Sequence, residues 1–316
     1  MIGIIRLTLG LSKGRIGKYE FARGGYQVSK VAVVTDSNSG ITQNQAGELG
    51  VYVVPMPFMI DNEIFYEDIT LSRNDFFKQL GENATISTSQ PSPESVMELW
   101  DSILKEYDEI VHIPMSSGLS GSFETAHMLS QDYAGKVYVV NNQRISVTQR
   151  QSVMDAILLS KKEVGAAEIK ATLEQDKFNS SIYIMLDTLY YLKKGGRITP
   201  AAATLGTILK LKPVLQIQGD KLDAFAKART ISQAKSIMIS AIKKDIEERF
   251  GGMDQEQITL MVVHSQNEEA AKQLKAELML EFPGFNVYID HLSLSVACHI
   301  GPGSLAIACT KNLLLS

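Results

Sequence analysis

The sequence predicts an α/β fold in two parts: an N-terminal Rossmann-like domain with a parallel sheet, and a C-terminal α+β domain with a mixed, largely antiparallel sheet. The chain has 316 residues, which is more than one hydrophobic core usually fills. Its first half alternates short apolar runs with helical segments, which is typical of a doubly wound sheet. Its second half joins several strands through short turns, which indicates antiparallel pairing.

Composition and charge narrow the class of protein. Hydrophobic residues make up 45% of the chain and charged residues 21%, so we expect a globular protein rather than a disordered or fibrous one. The net charge of -4 predicts that nucleic acid is not a partner, because binding to phosphates normally requires a basic face. Cys298 and Cys309 cannot form a disulfide framework, so we expect buried thiols and a cytoplasmic location.

Residues 1–30 differ from the rest because basic side chains outnumber acidic ones there. Arg6 interrupts the apolar stretch that a secretory signal needs, which leaves a transit peptide as one alternative. We expect an N-terminal extension of uncertain status over 1–30. An α/β domain over 31–178 and an α+β domain over 179–316 should follow it.

The N-terminal domain shows strands and helices in alternation. Apolar runs predict strands at 31–37, 51–58, 109–114 and 136–140. Ser72 with Asp75 resembles a capping box before one helix. Ser92 and Pro93 provide an N-cap and a first-turn proline for a second helix, which should run to about Glu106.

The C-terminal domain begins after a helical stretch that ends near Lys177. Strands are predicted at 181–187, 212–218, 221–228, 257–264, 285–291 and 304–309, and helices at 199–210, 231–250 and 267–282. Gly219 and Asp220 lie between two of these strands, and this pair predicts a hairpin.

Polar, glycine-rich clusters follow the predicted strands. They are TDSNSG at 35–40, STSQPS at 87–92, SSGLSGS at 116–122, KKGGRITP at 193–200 and HIGPG at 299–303. The third cluster leads into a helix, and the free N–H groups at a helix N-terminus favour an anion. Hydroxyl groups add donors without adding charge, so we expect an anionic head group to be held there.

Catalytic motifs fit this sequence poorly. After the first 30 residues, it contains no nucleophile elbow, no phosphate-binding P-loop and no dinucleotide fingerprint. His112 and His264 lie in apolar strands and are expected to be structural, while Asp36 is expected to cap the turn after the first strand. A sugar-phosphate or small-acid transferase that uses the Ser/Gly loop as a phosphate cradle remains the alternative. It would need a base or a metal beside the loop, for which only His299 and Asp36 qualify.

These clusters, in this order, resemble the DegV family of fatty-acid-binding proteins. The matching segments are VAVVTDSNSG, STSQPSP, SSGLSGSFETA, LKKGGRI, LKLKPVL, KART and HIGPG, and the likeness spans 31–316. The resemblance implies a noncatalytic carrier of long-chain fatty acids such as palmitate, without metal or cofactor, whose second domain encloses the acyl chain. It further implies, for some members, presentation of the lipid to a separate ATP-dependent fatty acid kinase subunit. We also expect transient membrane contact.

The resemblance also implies which residues bind the ligand. The carboxylate-binding threonine and serine of the family fall on Thr88 and Ser117, with Ser89 and Ser116 as neighbours. His299 matches the family histidine near the head group, and Arg197 and Arg229 match basic positions, although from the residues alone we slightly favour a structural role for Arg197. The chain departs from the family where relatives have Asp-Ser and spaced glycines, since it has Asn141, Asn142, Thr148 and Arg150.

Overall fold

The structure is a computed structural model that describes residues 29–313 apart from 83, 198, 206–210 and 253. The expected extension over 1–30 therefore lies almost entirely outside the described residues. So does the second half of the helix expected at 199–210.

Strands and helices alternate through the first half, and most of the predicted strands are present. The strands are β1 (Val31–Asp36), β2 (Tyr52–Val54), β3 (Pro57–Ile60), β4 (Glu63–Tyr66), β5 (Ile86–Thr88), β6 (Glu109–Ile113), β7 (Val137–Val139), β8 (Ser180–Met185), β9 (Lys212–Ile217), β10 (Asp223–Ala228), β11 (Ile258–His264), β12 (Val287–His291) and β13 (Leu305–Lys311). The helices are α1 (Gln43–Leu49), α2 (Arg73–Gly81), α3 (Pro93–Ile103), α4 (Ser122–Ser130), α5 (Ser146–Lys161), α6 (Ala166–Gln175), α7 (Tyr190–Gly195), α8 (Pro200–Leu205), α9 (Ile231–Glu248), α10 (Glu268–Glu281) and α11 (Leu294–Ile300).

The N-terminal half is built on a parallel sheet, as predicted. Its strand order is β2-β1-β6-β7, and every neighbouring pair is parallel. The strands are short apolar runs that end in polar residues, so the polar clusters at 35–40 and 116–122 follow the carboxyl ends of β1 and β6. This is the edge at which open α/β sheets bind their ligands.

The apolar run at 51–58, which we predicted to be one strand, forms two strands of different sheets. Pro55 lies between β2 and β3 and has no N–H for a sheet ladder, and the N–H of Met56 donates instead to Ser37 Oγ at 3.0 Å. After this break, β3 pairs with β4 and β5 in a three-stranded antiparallel sheet that the sequence did not predict. Thr88 is the last residue of β5 and pairs with Phe58.

Helix starts follow the predicted caps more closely than helix ends do. Ser72 Oγ accepts the N–H of Asp75 at the start of α2, and Ser92 Oγ accepts the N–H of Ser95 at the start of α3. α3 ends at Ile103, before the predicted end at Glu106, because its last bonds tighten to three-residue spacing.

A six-stranded mixed sheet forms the C-terminal half, with the order β10-β9-β8-β13-β11-β12. Only β11 and β12 pair in parallel among these described strands, so the predicted largely antiparallel sheet is confirmed. The Gly219–Asp220 turn joins β9 to β10 as the predicted hairpin. A domain boundary between 178 and 179 stays a prediction.

The six-stranded sheet is apolar on both faces because side chains alternate along a strand. Tyr183 and Met185 of β8 pack with α9 and α10. Ile182 and Ile184 pack on the opposite face, in a cluster that also contains Met56 from the first half of the chain. This second face is where the two halves meet. Within the described residues, no helix has both the length and the apolar character that a membrane span requires.

The tip of the β9–β10 hairpin lies against the Ser/Gly loop at 116–122. Ser116 Oγ donates to the carbonyl oxygen of Asp220 at 2.8 Å. A Cβ added at Gly118 would lie 2.2 Å from that same oxygen, so only glycine allows this approach. The loop and the hairpin are therefore fitted to each other across the two halves.

We expect Gly118→Ala to lower the free energy of unfolding by about 1–3 kcal/mol, because the added methyl group must displace backbone atoms of Asp220. Gly47→Ala is the matched control, since a Cβ at Gly47 in α1 meets nothing within 4 Å. That control should be neutral or stabilising by about 0.5–1 kcal/mol. Urea unfolding of the two variants measures the difference, and equal stabilities would contradict the close contact.

Candidate functional site

A cavity lies between the inner face of the six-stranded sheet and the ends of elements from the first half. The centres of water molecules could occupy ≈ 220 Å³ of it, far more than the roughly 10–15 Å³ that one water needs on the same measure. Most of its wall is apolar, with contributions from Met56, Leu119, Ile184, Leu192, Leu222 and Val263. Such a wall suits an elongated apolar ligand.

Several polar residues of the wall lie next to one another, and we call this group the polar end of the cavity. The residues there are Thr88, Ser89, Gln90, Ser120, Gly121, Arg197 and His299. They come from separate elements: the end of β5 and the residues after it, the residues before α4, the loop after α7 and the last turn of α11. The sequence placed all of them in polar clusters, although it did not single out Gln90, Ser120 or Gly121.

The centre of this polar end is a hydrogen bond between Thr88 and His299. Thr88 Oγ1 and His299 Nε2 are 2.8 Å apart. His299 Nδ1 is buried without a partner among the described atoms, and it packs so closely on Gly195 that a Cβ there would lie 2.0 Å from it. Burial, and secondarily the charge of Arg197, lowers the pKa of His299 to about 4, so the ring is neutral near pH 7.

The environment of the ring assigns its proton. A buried N–H without an acceptor is rarer than a buried ring nitrogen without a donor, so we place the proton on Nε2. His299 then donates to Thr88 Oγ1, and the Thr88 hydroxyl keeps its own hydrogen free to donate into the cavity. The pair therefore supplies a neutral, oriented donor.

Arg197 brings positive charge to the same end. Its side chain is exposed, and Nη1 donates to the carbonyl oxygen of Gly195 at 2.7 Å. Among the described wall residues, it is the one with a full charge. α4 also begins here, after Gly121, and its N-terminal dipole has the same sign. The polar end therefore favours an anion.

Glu67 and Arg73 hold α11, which carries His299. Glu67 accepts the N–H of Leu294 at 2.7 Å and pairs with Arg73 at 2.5 Å, while Arg73 donates to the carbonyl oxygen of Leu292. Burial raises the pKa of Glu67 to about 7, against the opposing effects of Arg73 and the Leu294 N–H. These contacts fix the start of α11 to the segment around β4.

Asp36 fixes the part of the wall that follows β1 and β6. It is buried, and it accepts N–H groups from Met115 at 2.7 Å, Asn38 at 3.0 Å and the Gln149 side chain at 3.1 Å. Burial raises the pKa of Asp36 to about 6, although these bonds oppose the shift. Its bond to Asn38 is the turn cap that the sequence predicted.

A second polar patch lies within the cavity wall and was not predicted. It consists of Asn38, Ser146 and Ser295. Asn38 follows β1, Ser146 is the first residue of α5, and Ser295 lies one helical turn before His299 on α11. No sequence motif singles out Ser146 or Ser295.

The structure brings four of the six proposed ligand residues into one wall: Thr88, Ser89, Arg197 and His299. Ser116 and Ser117 lie on the loop that leads to Ser120 and Gly121 but are not in the wall, and the Ser116 hydroxyl is bound to Asp220. Their contact with a ligand stays a prediction. Arg229 is exposed before α9 and lies outside the wall, as do Asn141, Asn142, Thr148 and Arg150.

The expected structural residues are buried. Burial lowers the pKa of His112 to about 3, and His264 Nδ1 accepts the N–H of Asn267. Cys298 and Cys309 are buried free thiols. Over the part of the chain that the structure describes, no three His, Cys, Asp or Glu side chains form a group that could hold a metal ion.

Comparison with known proteins gives a consistent result. A family model described as "Uncharacterised protein, DegV family" matches residues 30–312. Protein DegV of Bacillus subtilis is 28% identical over 280 residues, covering 88% of this chain and 98% of that protein. A DegV domain-containing protein of Deinococcus radiodurans is 28% identical over 281 residues, covering 88% of this chain and 97% of its own length.

Solved structures share the fold. A structure described as fatty acid binding of a DegV family protein from Thermus thermophilus has a TM-score of 0.81 and 30% identity, and covers 89% of this chain and 99% of that one. The crystal structure of DegV from Bacillus subtilis, described as a fatty acid binding protein, has a TM-score of 0.79 and 26% identity, and covers 90% of this chain and 100% of that one.

The lowered pKa of His299 predicts a pH dependence of stability. As the pH falls from 6.5 towards about 4, the unfolded chain takes up the proton before the folded protein does, so His299 favours unfolding in this window. Its contribution is fully present above pH 6.5 and is lost as the pH falls. Relative to His299→Gln, the wild type should therefore lose stability across that interval.

Urea unfolding of both proteins at several pH values provides the measurement. His127, which is exposed on α4, provides the matched His-to-Gln control. A constant stability difference between the wild type and His299→Gln from pH 7 to pH 4 would contradict the neutral buried ring.

Proposed function

This chain belongs to the DegV family, and we propose that it binds a long-chain fatty acid, with the carboxylate at the Thr88–His299 end and the acyl tail along the apolar wall. The observation that carries the proposal is the division of the cavity lining into an apolar part and a polar part. A mostly apolar wall adjoins a cluster of neutral donors beside a single cation. A fatty acid has the matching division into tail and head.

The tail supplies most of the affinity in this proposal. Burial of ~14 methylenes at ~0.8 kcal/mol each amounts to about 11 kcal/mol before the costs of association and ordering. Side chains such as Met56, Leu192 and Val263 provide the dry surface that this burial requires. The apolar wall therefore has the dominant energetic role.

The head group sets the orientation of the ligand. A carboxylate loses its hydration on entry, so it needs replacement donors, and charge-assisted hydrogen bonds provide them. Thr88 and Ser89 offer hydroxyls, His299 orients Thr88, and Arg197 adds a cation at the exposed side. We keep Ser117 as a proposed further donor, since it belongs to the loop that leads into this end.

The relatives support the ligand class. The Thermus thermophilus protein and the Bacillus subtilis protein are both described as binding fatty acids, and both align with nearly the whole of this chain. A transferase would need a base or a metal beside the Ser/Gly loop. Burial lowers the pKa of His299 to about 4, which makes it a weak base, and its Nε2 is engaged with Thr88. Asp36 already accepts three N–H groups, so these contacts favour binding over catalysis.

We further propose that the protein is a cytoplasmic carrier that makes transient membrane contact and presents the bound carboxylate to a separate ATP-dependent fatty acid kinase subunit. The exposed position of Arg197 at the polar end supports presentation, because a partner can approach the head group there. ATP and Mg²⁺ would come from that partner, consistent with the absence of a P-loop motif from this sequence.

The protein purified from bacteria should carry long-chain acyl ligands in roughly stoichiometric amounts. Native mass spectrometry followed by solvent extraction identifies them. Addition of a bacterial fatty acid kinase ATP-binding subunit with ATP should then phosphorylate the bound acid. Lack of bound lipid together with no uptake of palmitate or oleate would overturn the binding proposal, whereas binding without phosphorylation would overturn presentation alone.

Thr88→Val should weaken palmitate binding about tenfold, since it removes one hydroxyl donor but keeps the side-chain shape, a loss of ~1–2 kcal/mol. Ser117→Ala tests the loop serine separately and should also weaken binding. Thr172→Val on α6, remote from the cavity wall, is the matched control. Isothermal titration gives the affinities, and an unchanged value for Thr88→Val would rule out its role at the head group.

A further inference from the structure

The second polar patch interrupts the apolar wall of the cavity. Asn38, Ser146 and Ser295 are 1%, 4% and 7% exposed, yet all three line the cavity. A saturated hydrocarbon tail cannot form hydrogen bonds with them, and it would leave the Ser146 hydroxyl buried without a partner, which is costly. The patch therefore indicates a ligand group that the carboxylate and the plain tail do not provide.

Ser146 gives the strongest indication. Among the described residues its hydroxyl has no hydrogen-bond partner, although the residue is buried. Its backbone φ angle is 56°, in the left-handed region that non-glycine residues seldom adopt. This backbone presents a serine at the start of α5, within the cavity wall. Strain of this kind is commonly retained at ligand sites.

Ser295 and Asn38 supply the complementary groups. Ser295 Oγ and Ser293 Oγ both donate to Asn38 Oδ1, the latter at 2.9 Å, and Asn38 Nδ2 donates to Met115 Sδ at 2.8 Å. Ser295 Oγ thus keeps lone pairs that can accept a hydrogen. α5 packs on the turn that contains Asn38, and Gln149 in the first turn of that helix donates to Asp36 at the start of the same turn.

We propose that Asn38, Ser146 and Ser295 form a subsite for one hydroxyl group, supplied either by a hydroxylated fatty acid or by a trapped water molecule. Ser146 donates to this oxygen, and Ser295 accepts from it. The inference rests on the proposed binding of fatty acids, and if the ligand supplies the hydroxyl, it also specifies which of them the cavity recognises.

The subsite selects an uncharged group of the ligand that lies at a limited distance from the ligand's carboxylate. The three side chains carry no charge, whereas the cation Arg197 lies at the Thr88 end. Ser295 and His299 are four residues apart on α11, which separates their backbone positions by roughly 6 Å along one helix face. The hydroxyl therefore belongs on an internal carbon of the chain and not at its methyl end.

Positional isomers test this subsite, because they share the same hydroxyl and the same chain length. We would titrate the protein with hexadecanoic acid and with derivatives that carry one hydroxyl on the third, sixth, ninth or last carbon. At least one internal isomer should bind roughly tenfold more tightly than the isomer hydroxylated at the last carbon. A crystal structure of the hexadecanoic acid complex tests the water alternative in parallel.

Two variants test whether Ser146 and Ser295 cause the preference for an internal isomer. Ser146→Gly removes the hydroxyl and suits the positive φ, and Ser295→Ala keeps the helix; each should reduce the isomer preference about fivefold to tenfold. Ser304→Ala is the matched control, because Ser304 is buried with an unpartnered hydroxyl but does not line the cavity. That control should keep the full preference.

The outcomes distinguish a ligand hydroxyl from a trapped water molecule as the source of the oxygen. An internal-isomer preference that falls in both variants supports a ligand hydroxyl, and an ordered water bridging Ser146 and Ser295 in the hexadecanoic acid complex supports the water. Equal affinities for all isomers, with no water at the patch, would overturn the proposal. Failure of every acid to bind the wild type would instead overturn the proposed function.

Discussion

The hydrogen bond between Thr88 and His299 joins residues that are 211 positions apart, and the polar end of the cavity depends on it. Thr88 is presented by a strand of the three-stranded sheet, and His299 by a helix that Glu67 and Arg73 fix to the same region. The ring is neutral because it is buried. A neutral histidine can orient a hydroxyl without forming an ion pair, so in the proposed complex the site would hold the carboxylate while the tail supplies most of the affinity.

Strand alternation explains why the cavity is apolar. Each central strand of the six-stranded sheet must bury both faces, one against α9 and α10 and the other against the first half of the chain. The second contact does not close completely, and the remaining space is the cavity. Its lining therefore consists of core residues such as Ile184 and Val263, whose sequence pattern is that of ordinary strands.

The sequence predicted those features that depend on local patterns. Apolar runs located the parallel sheet, Ser72 and Ser92 marked helix starts, and the Gly219–Asp220 pair marked the hairpin. Features that depend on distant contacts were not predictable. The strands of the sheet that contains β5 are only three or four residues long, too short for a burial period to identify them, and nothing local shows that the Ser116 hydroxyl meets a carbonyl 104 residues away. Ser146 was missed because a positive φ at serine has no sequence signature.

The cavity wall takes residues from both sides of position 178, such as Thr88 and Met56 on one side and Leu222 and His299 on the other. A fragment that ended there would contain only part of the wall. A ligand that contacts both parts of the wall stabilises the association of the two halves by RT ln(1 + [L]/Kd). Ligand binding and the association of the two halves are thus linked, and the halves separate more easily when no ligand is bound.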